Sequence, residues 1–194
     1  MSEPREHLTA AELAIDSYLD ELLQEPVEEA PGEIAAALNE YCVFDVSGLL
    51  VAVPAARVHG EIARPRLRPQ PGAMHWLRWA SHGERERPLV DTALLVLPAD
   101  LAPGSIPLAE RCDRVLTLDN GSWRLALNGP TRTEEIDAGA VCWRGPRGRR
   151  PWLAGTLADR RCVLLDTDNI RQLVQWAAGE PGACSKRQAV GVPG

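Results

Sequence analysis

The spacing of apolar residues changes once along the chain, and the change divides it. In "LTAAELAIDSYLDELLQE" (8–25), Ile15, Leu19, Leu22 and Leu23 recur at helical spacing on one face. Leu8 and Leu13 lie near the edge of that face, and Glu12, Asp16, Asp20 and Glu21 lie elsewhere. Thr9 followed by Glu12 forms a capping box, so the pattern predicts a helix over roughly 9–24. "EPVEEAPGE" then reads as a linker, because proline and repeated acids keep a chain extended and solvated. An isolated amphipathic helix must bury its stripe, either on its own domain or as a docking helix in a partner's groove.

From Tyr41 onward the period shortens to two. "YCVFDV", a turn at Ser47-Gly48 and "LLVAVP" predict a hairpin in which Cys42, Phe44 and Val46 alternate with Val43 and Asp45. "RVLTLDNGSWRLAL" predicts a second hairpin around Asn120-Gly121, with Trp123, Leu125 and Leu127 on one side. Further strands are expected in "RVHGEI" (57–62), "PLVDTALLVL" (88–97), "AVCW" (140–143), "PWLAGTLA" (151–158) and "RCVLLD" (161–166). One later helix is expected, in "DTDNIRQLVQWAA", with Asp168 as its N-cap and Gly179 as its stop. Many short strands separated by Gly and Pro point to small barrels or sandwiches. The expected division is an acidic helix and linker (1–38), a mainly β domain (39–178) and a mobile tail (179–194).

Charge sharpens this division. Residues 1–40 hold eleven acids against Arg5, about −10, while the total of −6 leaves about +4 for the rest. No apolar run approaches the ~20 residues of a membrane span, and the N-terminus lacks an export pattern, so a cytoplasmic protein is expected. Five cysteines without C-x-x-C spacing argue against a disulfide framework and a structural zinc site. No metal or cofactor is expected.

Two stretches invite a chemical reading. "SHGERERPLVD" could supply His82 as a general base oriented by Glu84 or Glu86, yet the same composition suits an exposed turn ahead of a buried strand. No nucleophile stands at a defined spacing from it, and no P-loop, G-x-G-x-x-G, G-x-S-x-G or H-E-x-x-H occurs, so no enzyme is expected. "WRGPRGRRPW" sets Arg144, Arg147, Arg149 and Arg150 between Trp143 and Trp152, a composition compatible with single-strand nucleic-acid binding. The acidic balance and the Gly-Pro loop favour instead a solvated loop or a patch for an acidic protein. Nucleic acid is therefore not the expected partner, and this loop carries the alternative reading.

The order of these elements resembles the CheW-like domain, the adaptor module of bacterial chemosensory arrays. "YCVFDVSGLLVAVPAARVHGEI" is similar to that family's opening hairpin and its "V-x-E-I". "MHWLRWASHGERERPLVD" is similar to the segment that ends in Pro-x-Val-Asp. "RVLTLDNGSWRLAL" matches the central hairpin, and "WLAGTLADRRCVLLDTDNI" the closing "L-L-D" before the last helix. The resemblance covers about residues 40–177. It implies two small SH3-like five-stranded barrels packed together, followed by the C-terminal helix; the N-terminal amphipathic helix on its linker is an addition to them.

The resemblance also implies a non-catalytic scaffold. Its partners would be the regulatory domain of a CheA-type histidine kinase, the cytoplasmic tip of a chemoreceptor and other CheW-like proteins, at polar arrays and without membrane insertion. On this reading Val58, Glu61, Ile62, Trp76, Leu77, Trp79, His82 and Gly83 are candidate interface residues; core packing is the alternative for the tryptophans. Ile15, Leu19, Leu22 and Leu23 are the candidate docking face of the N-terminal helix. Departures are equally specific: His82 stands where the family has an arginine tied to kinase coupling, and Thr92 replaces a leucine. With the added acidic arm, these imply an auxiliary adaptor distinct from the main coupling protein.

Overall fold

A computed structural model of the 194-residue chain describes residues 9–24, 40–63, 65–68, 74–82, 85–144 and 149–178. The expected linker, the expected tail from Gly179 onward, Gly83, Glu84 and the side chain of His82 lie outside the described residues. The strands are β1 Glu40–Val46, β2 Leu49–Pro54, β3 Val58–Ala63, β4 Arg66–Arg68, β5 Leu77–His82, β6 Arg85–Val90, β7 Arg114–Leu118, β8 Trp123–Leu127, β9 Arg132–Glu135, β10 Cys142–Trp143, β11 Leu153–Leu157 and β12 Cys162–Leu165. The helices are α1 Ala10–Leu23, α2 Thr92–Val96, α3 Leu108–Arg111 and α4 Thr167–Ala177.

The strands form two six-stranded mixed sheets, ordered β10-β11-β12-β2-β1-β9 and β4-β5-β6-β8-β7-β3. Written this way, every pairing in one has its counterpart in the other. In each, the sole parallel ladder among the described residues joins the fourth strand to the third, β12 to β2 and β6 to β8. Each half also ends its third strand alike. The amide of Asp91 donates to the Trp76 carbonyl and that of Asp166 to the Trp152 carbonyl; each aspartate then caps a helix, α2 or α4. The chain thus carries one fold unit twice, with the strands between β2 and β9 building the second copy.

A short chain connection bends the second sheet. In a flat sheet the edge strands β3 and β4 would stand five spacings apart, roughly 24 Å. Only Arg64 and Pro65 separate them in sequence, a reach of about 11 Å. The sheet therefore cannot be flat, and its two edges are drawn toward each other. The expectation of five strands per unit meets six in each sheet. β10 falls within the strand expected at 140–143, whereas β4, β5 and β9 lie outside the expected strands.

Period-two alternation then builds three apolar clusters. Cys42, Phe44, Val46, Val51, Val53, Val163 and Leu165 of the first sheet meet Leu116, Leu118, Trp123, Leu125 and Leu127 of the second. Their neighbours Tyr41, Val43, Ala52, Cys162 and Leu164 pack on the other face of the first sheet, and Ala80, Leu89, Val115 and Ala126 on that of the second. Strands buried on both faces read as nearly continuous apolar runs, which is how "RVLTL" and "RCVLL" read.

Local differences from the sequence expectation have local causes. The strand expected over 88–97 stops at Val90, because the Asp91 side chain accepts from the Leu94 amide and starts α2. The N-cap of α4 is Asp166, not Asp168, since its carboxylate lies 2.9 Å from the Asn169 amide. α2 and α3 are additional to the one later helix expected; both are too short to show a helical period. The first hairpin turns at Ser47 and Gly48 as expected, both with positive φ, 55° and 91°.

Candidate interaction surfaces

β3 lies at the edge of its sheet, beside β7. Its register slips between Val58 and Gly60, so Val58 stands opposite Leu118 and Ile62 opposite Val115. The two half-buried side chains consequently turn to different clusters, Val58 to the one between the sheets and Ile62 to that of the second sheet. Glu61, between them, faces outward. Its carboxylate accepts from Arg114 Nη1 at 2.6 Å and from Thr131 Oγ1 at 3.0 Å, which fixes an acid on an exposed strand edge. The bond to Glu61 and its charge raise the Arg114 pKa above the usual arginine value.

The second candidate group divides. Trp76 and Leu77 are 6% and 0% exposed and pack in the central cluster. Trp79, two residues on, is half-buried beside a cleft. His82 pairs through its backbone with Arg85, so "SHGERERPLVD" spans the β5–β6 hairpin and the strand that follows. Glu86 is committed to an ion pair with Arg68 at 3.0 Å. Among the described residues, no group of three or more His, Cys, Asp or Glu is gathered as a metal would need.

The arginine loop is turned inward at both described ends. Arg144 is 8% exposed and donates to the carbonyls of Leu22 and Trp143. Arg150 donates to Glu21 at 2.7 Å and lies over the Tyr18 ring, 5.6 Å from its centre. These two side chains therefore serve α1 and do not face solvent as a nucleic-acid platform. Arg149 is exposed, and Arg147 lies outside the described residues.

α1 itself is seated on this domain. Ile15, Leu19 and Leu22 are buried in the central cluster with Tyr18, a residue the sequence reading of the stripe passed over; Leu23 is half-buried. The capping box at Thr9 and Glu12 is present, and the Thr9 bonds lower the Glu12 pKa. Polar contacts fasten the helix at several points. Tyr18 Oη donates to the Val96 carbonyl at 2.6 Å and Arg161 Nη2 to Asp16 at 2.8 Å, alongside the Arg144 and Arg150 bonds. The stripe is buried on its own domain here, in place of a partner's groove.

A cleft of about 530 Å³ opens between β5 and β6, the β7–β8 turn and α4. Trp79, Pro88 and Val174 give it apolar wall; Glu86, Arg87, Asn120, Arg171 and Gln175 give it a polar rim. Arg87 is held by the Gly121 carbonyl at 3.1 Å and Trp123 Nε1 by Asp119 at 2.9 Å. Arg57 ties the turn to the helix, reaching both Asp119 and Asp168. Two nitrogens at this wall, Trp79 Nε1 and Arg171 Nε, are buried without a hydrogen-bond partner among the described residues. Of its lining, Trp79 is a candidate interface residue; no local sequence pattern marks the rest, since the walls come from segments some ninety residues apart.

Neither a family model nor a curated protein matches the sequence. Among solved structures, the fold matches the scaffolding protein CheW from Thermoanaerobacter tengcongensis with a TM-score of 0.52 and 12% identity, over 66% of this chain and 88% of that one. The fold is CheW-like.

Proposed function

We propose that the chain is a non-catalytic adaptor of bacterial chemosensory signalling. The observation that carries this reading is the likeness to a CheW scaffolding protein over 88% of that protein's length, an extent that takes in both fold units. An adaptor works by offering rigid surfaces whose contacts are individually weak. The outer edge of β3 is suited to such contacts, because Glu61 is pinned by Arg114 and Thr131 and meets a partner with little further loss of side-chain freedom.

The partners this reading assigns are the regulatory domain of a CheA-type histidine kinase and the tip of a chemoreceptor. The role is auxiliary to a main coupling protein, because His82 stands where the family's arginine serves kinase coupling. Immobilised full-length chain should retain the isolated kinase regulatory domain or a receptor-tip fragment from a purified mixture; retention of neither overturns the proposal. His82→Arg should gain kinase activation in a reconstituted array, and an unchanged output would place the divergence elsewhere. The nucleic-acid alternative predicts affinity that falls steeply with salt and depends on Arg144 to Arg150. The inward engagement of Arg144 and Arg150 with α1 weighs against it.

A further inference from the structure

The cleft at Trp79 combines an apolar wall with hydrogen-bond donors that lack acceptors. Trp79 and Pro88 stand opposite each other in register, so they share one face of the β5–β6 hairpin; Val174 and Ala178 come from α4 and its C-cap. Its volume, about 530 Å³, lies in the range that small organic ligands occupy. Two N–H groups at this wall, Trp79 Nε1 and Arg171 Nε, are buried with no partner among the described residues. Each is short of the acceptor that a buried donor requires. A ligand that completes this wall therefore carries apolar surface and acceptor atoms together.

The surrounding charges decide what kind of acceptor is favoured. Glu86 is paired with Arg68 at 3.0 Å, and Asp119 with Arg57 at 3.3 Å and with Trp123 Nε1 at 2.9 Å. The carboxylates of the cleft are thus already committed. Arg87 has no carboxylate partner among the described residues: its Nε and Nη1 donate to the carbonyls of Gly121 and Glu86, at 3.1 Å each, which orients the guanidinium without neutralising it. Arg124 is 4% exposed and likewise lacks a carboxylate; Nη1 donates to the Ala80 carbonyl at 2.6 Å, and Nε is unsatisfied. Burial and then the charge of Arg87 lower the Arg124 pKa, so the two cations are close enough to repel each other. Unneutralised cations in a partly dry setting favour an anion beside them.

We propose that this cleft is a binding site for a small organic anion, an oxyanion carried on a flat apolar ring. The oxyanion is held by Arg87, and its remaining lone pairs accept from Trp79 Nε1 and Arg171 Nε. The ring lies against Trp79 and Pro88, where it replaces water on apolar surface. A carboxylate and a phosphate ester share this chemistry. The site does not depend on the adaptor reading, because it rests on the donors and charges of the cleft alone.

The test uses the full chain and four probes: phenyl phosphate, phenylacetate, inorganic phosphate and benzyl alcohol. The readout is the indole N–H resonance of Trp79, identified among six tryptophans with Trp79→Phe. At least one of the two ring-bearing anions should shift that resonance and bind about tenfold more tightly than benzyl alcohol, the scale of one charged hydrogen bond. It should also bind about tenfold more tightly than inorganic phosphate, the scale of one buried ring. The tighter of the two identifies the oxyanion as phosphate or carboxylate. Arg87→Gln should weaken it by about tenfold, and Glu86→Gln should not weaken it. A Trp79 signal that neither ring-bearing anion moves, benzyl alcohol or inorganic phosphate binding as tightly as they do, or binding that Arg87→Gln leaves unchanged, overturns the inference. The probe comparisons use the unaltered chain, so they decide the matter even where a variant fails to fold.

Discussion

Asp91 shows how much a single side chain decides. It is fully buried, caps α2 and receives both terminal nitrogens of Arg111, with Nη1 at 3.0 Å. Arg111→Ala leaves a buried carboxylate without its counter-charge and should cost about 3–5 kcal/mol in denaturant unfolding. Trp176, 65% exposed, should change stability by less than about 0.5 kcal/mol when replaced by alanine. Gly155 is confined by contact: a Cβ there would stand 2.5 Å from Val141 Cγ1 and 3.2 Å from the Cys142 carbonyl. Gly155→Ala should therefore lower the melting temperature by separating β10 from β11. Two titrating groups act in opposite directions. Bonds from Arg132 and then Arg160 lower the Glu134 pKa, so its contribution is full above the ordinary value of 4.5 and is lost as pH falls below it. Burial pushes the Cys162 thiol up to about 12; its contribution is full below the ordinary 9 and declines as pH rises from there. Cys162 should resist alkylation in the native chain at pH 8 and react on unfolding, which mass spectrometry of the labelled peptide checks.

At the scale of elements, what the sequence reveals depends on whether an element's pattern is local. α1 is legible because a capping box and a helical stripe lie within sixteen residues, and both hairpins because each turn carries a glycine between alternating runs. α2 is not legible, since "TALLV" is apolar almost throughout and only the Asp91 cap distinguishes it from a continuing strand. Core and surface are likewise ambiguous for "HWLRW": Trp76 and Leu77 are buried and Trp79 meets a cleft, a division set by packing partners distant in sequence. α1 has only fourteen residues, too few to persist alone in water, so its docked face must hold it. Leu22→Ala should cost about 2–5 kcal/mol, whereas Arg161→Ala, breaking a half-exposed pair, should cost at most about 1 kcal/mol. Hydrogen exchange of the α1 amides distinguishes the two. Equal effects would mean that the polar contacts, and not the apolar face, seat the helix.

For the whole molecule, the repeated unit is the feature that sequence reading passed over. Its traces are present in Trp76-Leu77 with Asp91-Thr92 and Trp152-Leu153 with Asp166-Thr167, but side chains between these anchors differ, and pairing alone makes the units equivalent. Both units contribute to each of these surfaces: α1 meets Val96 of one and Arg144, Arg150 and Arg161 of the other, and the cleft lies between α4 of one and β5, β6 and the β7–β8 turn of the other. On the proposed reading, the β3 edge with Glu61 and the cleft with Trp79 are separate faces of an adaptor that joins partners which do not otherwise meet. Sedimentation velocity of a kinase regulatory domain and a receptor-tip fragment, with and without the full chain, probes that property. The two fragments should sediment apart on their own and move together in one faster boundary when the chain is added, and Glu61→Arg should weaken this boundary. Fragments that stay separate, with the chain bound to neither, would show that the protein is not an adaptor between them.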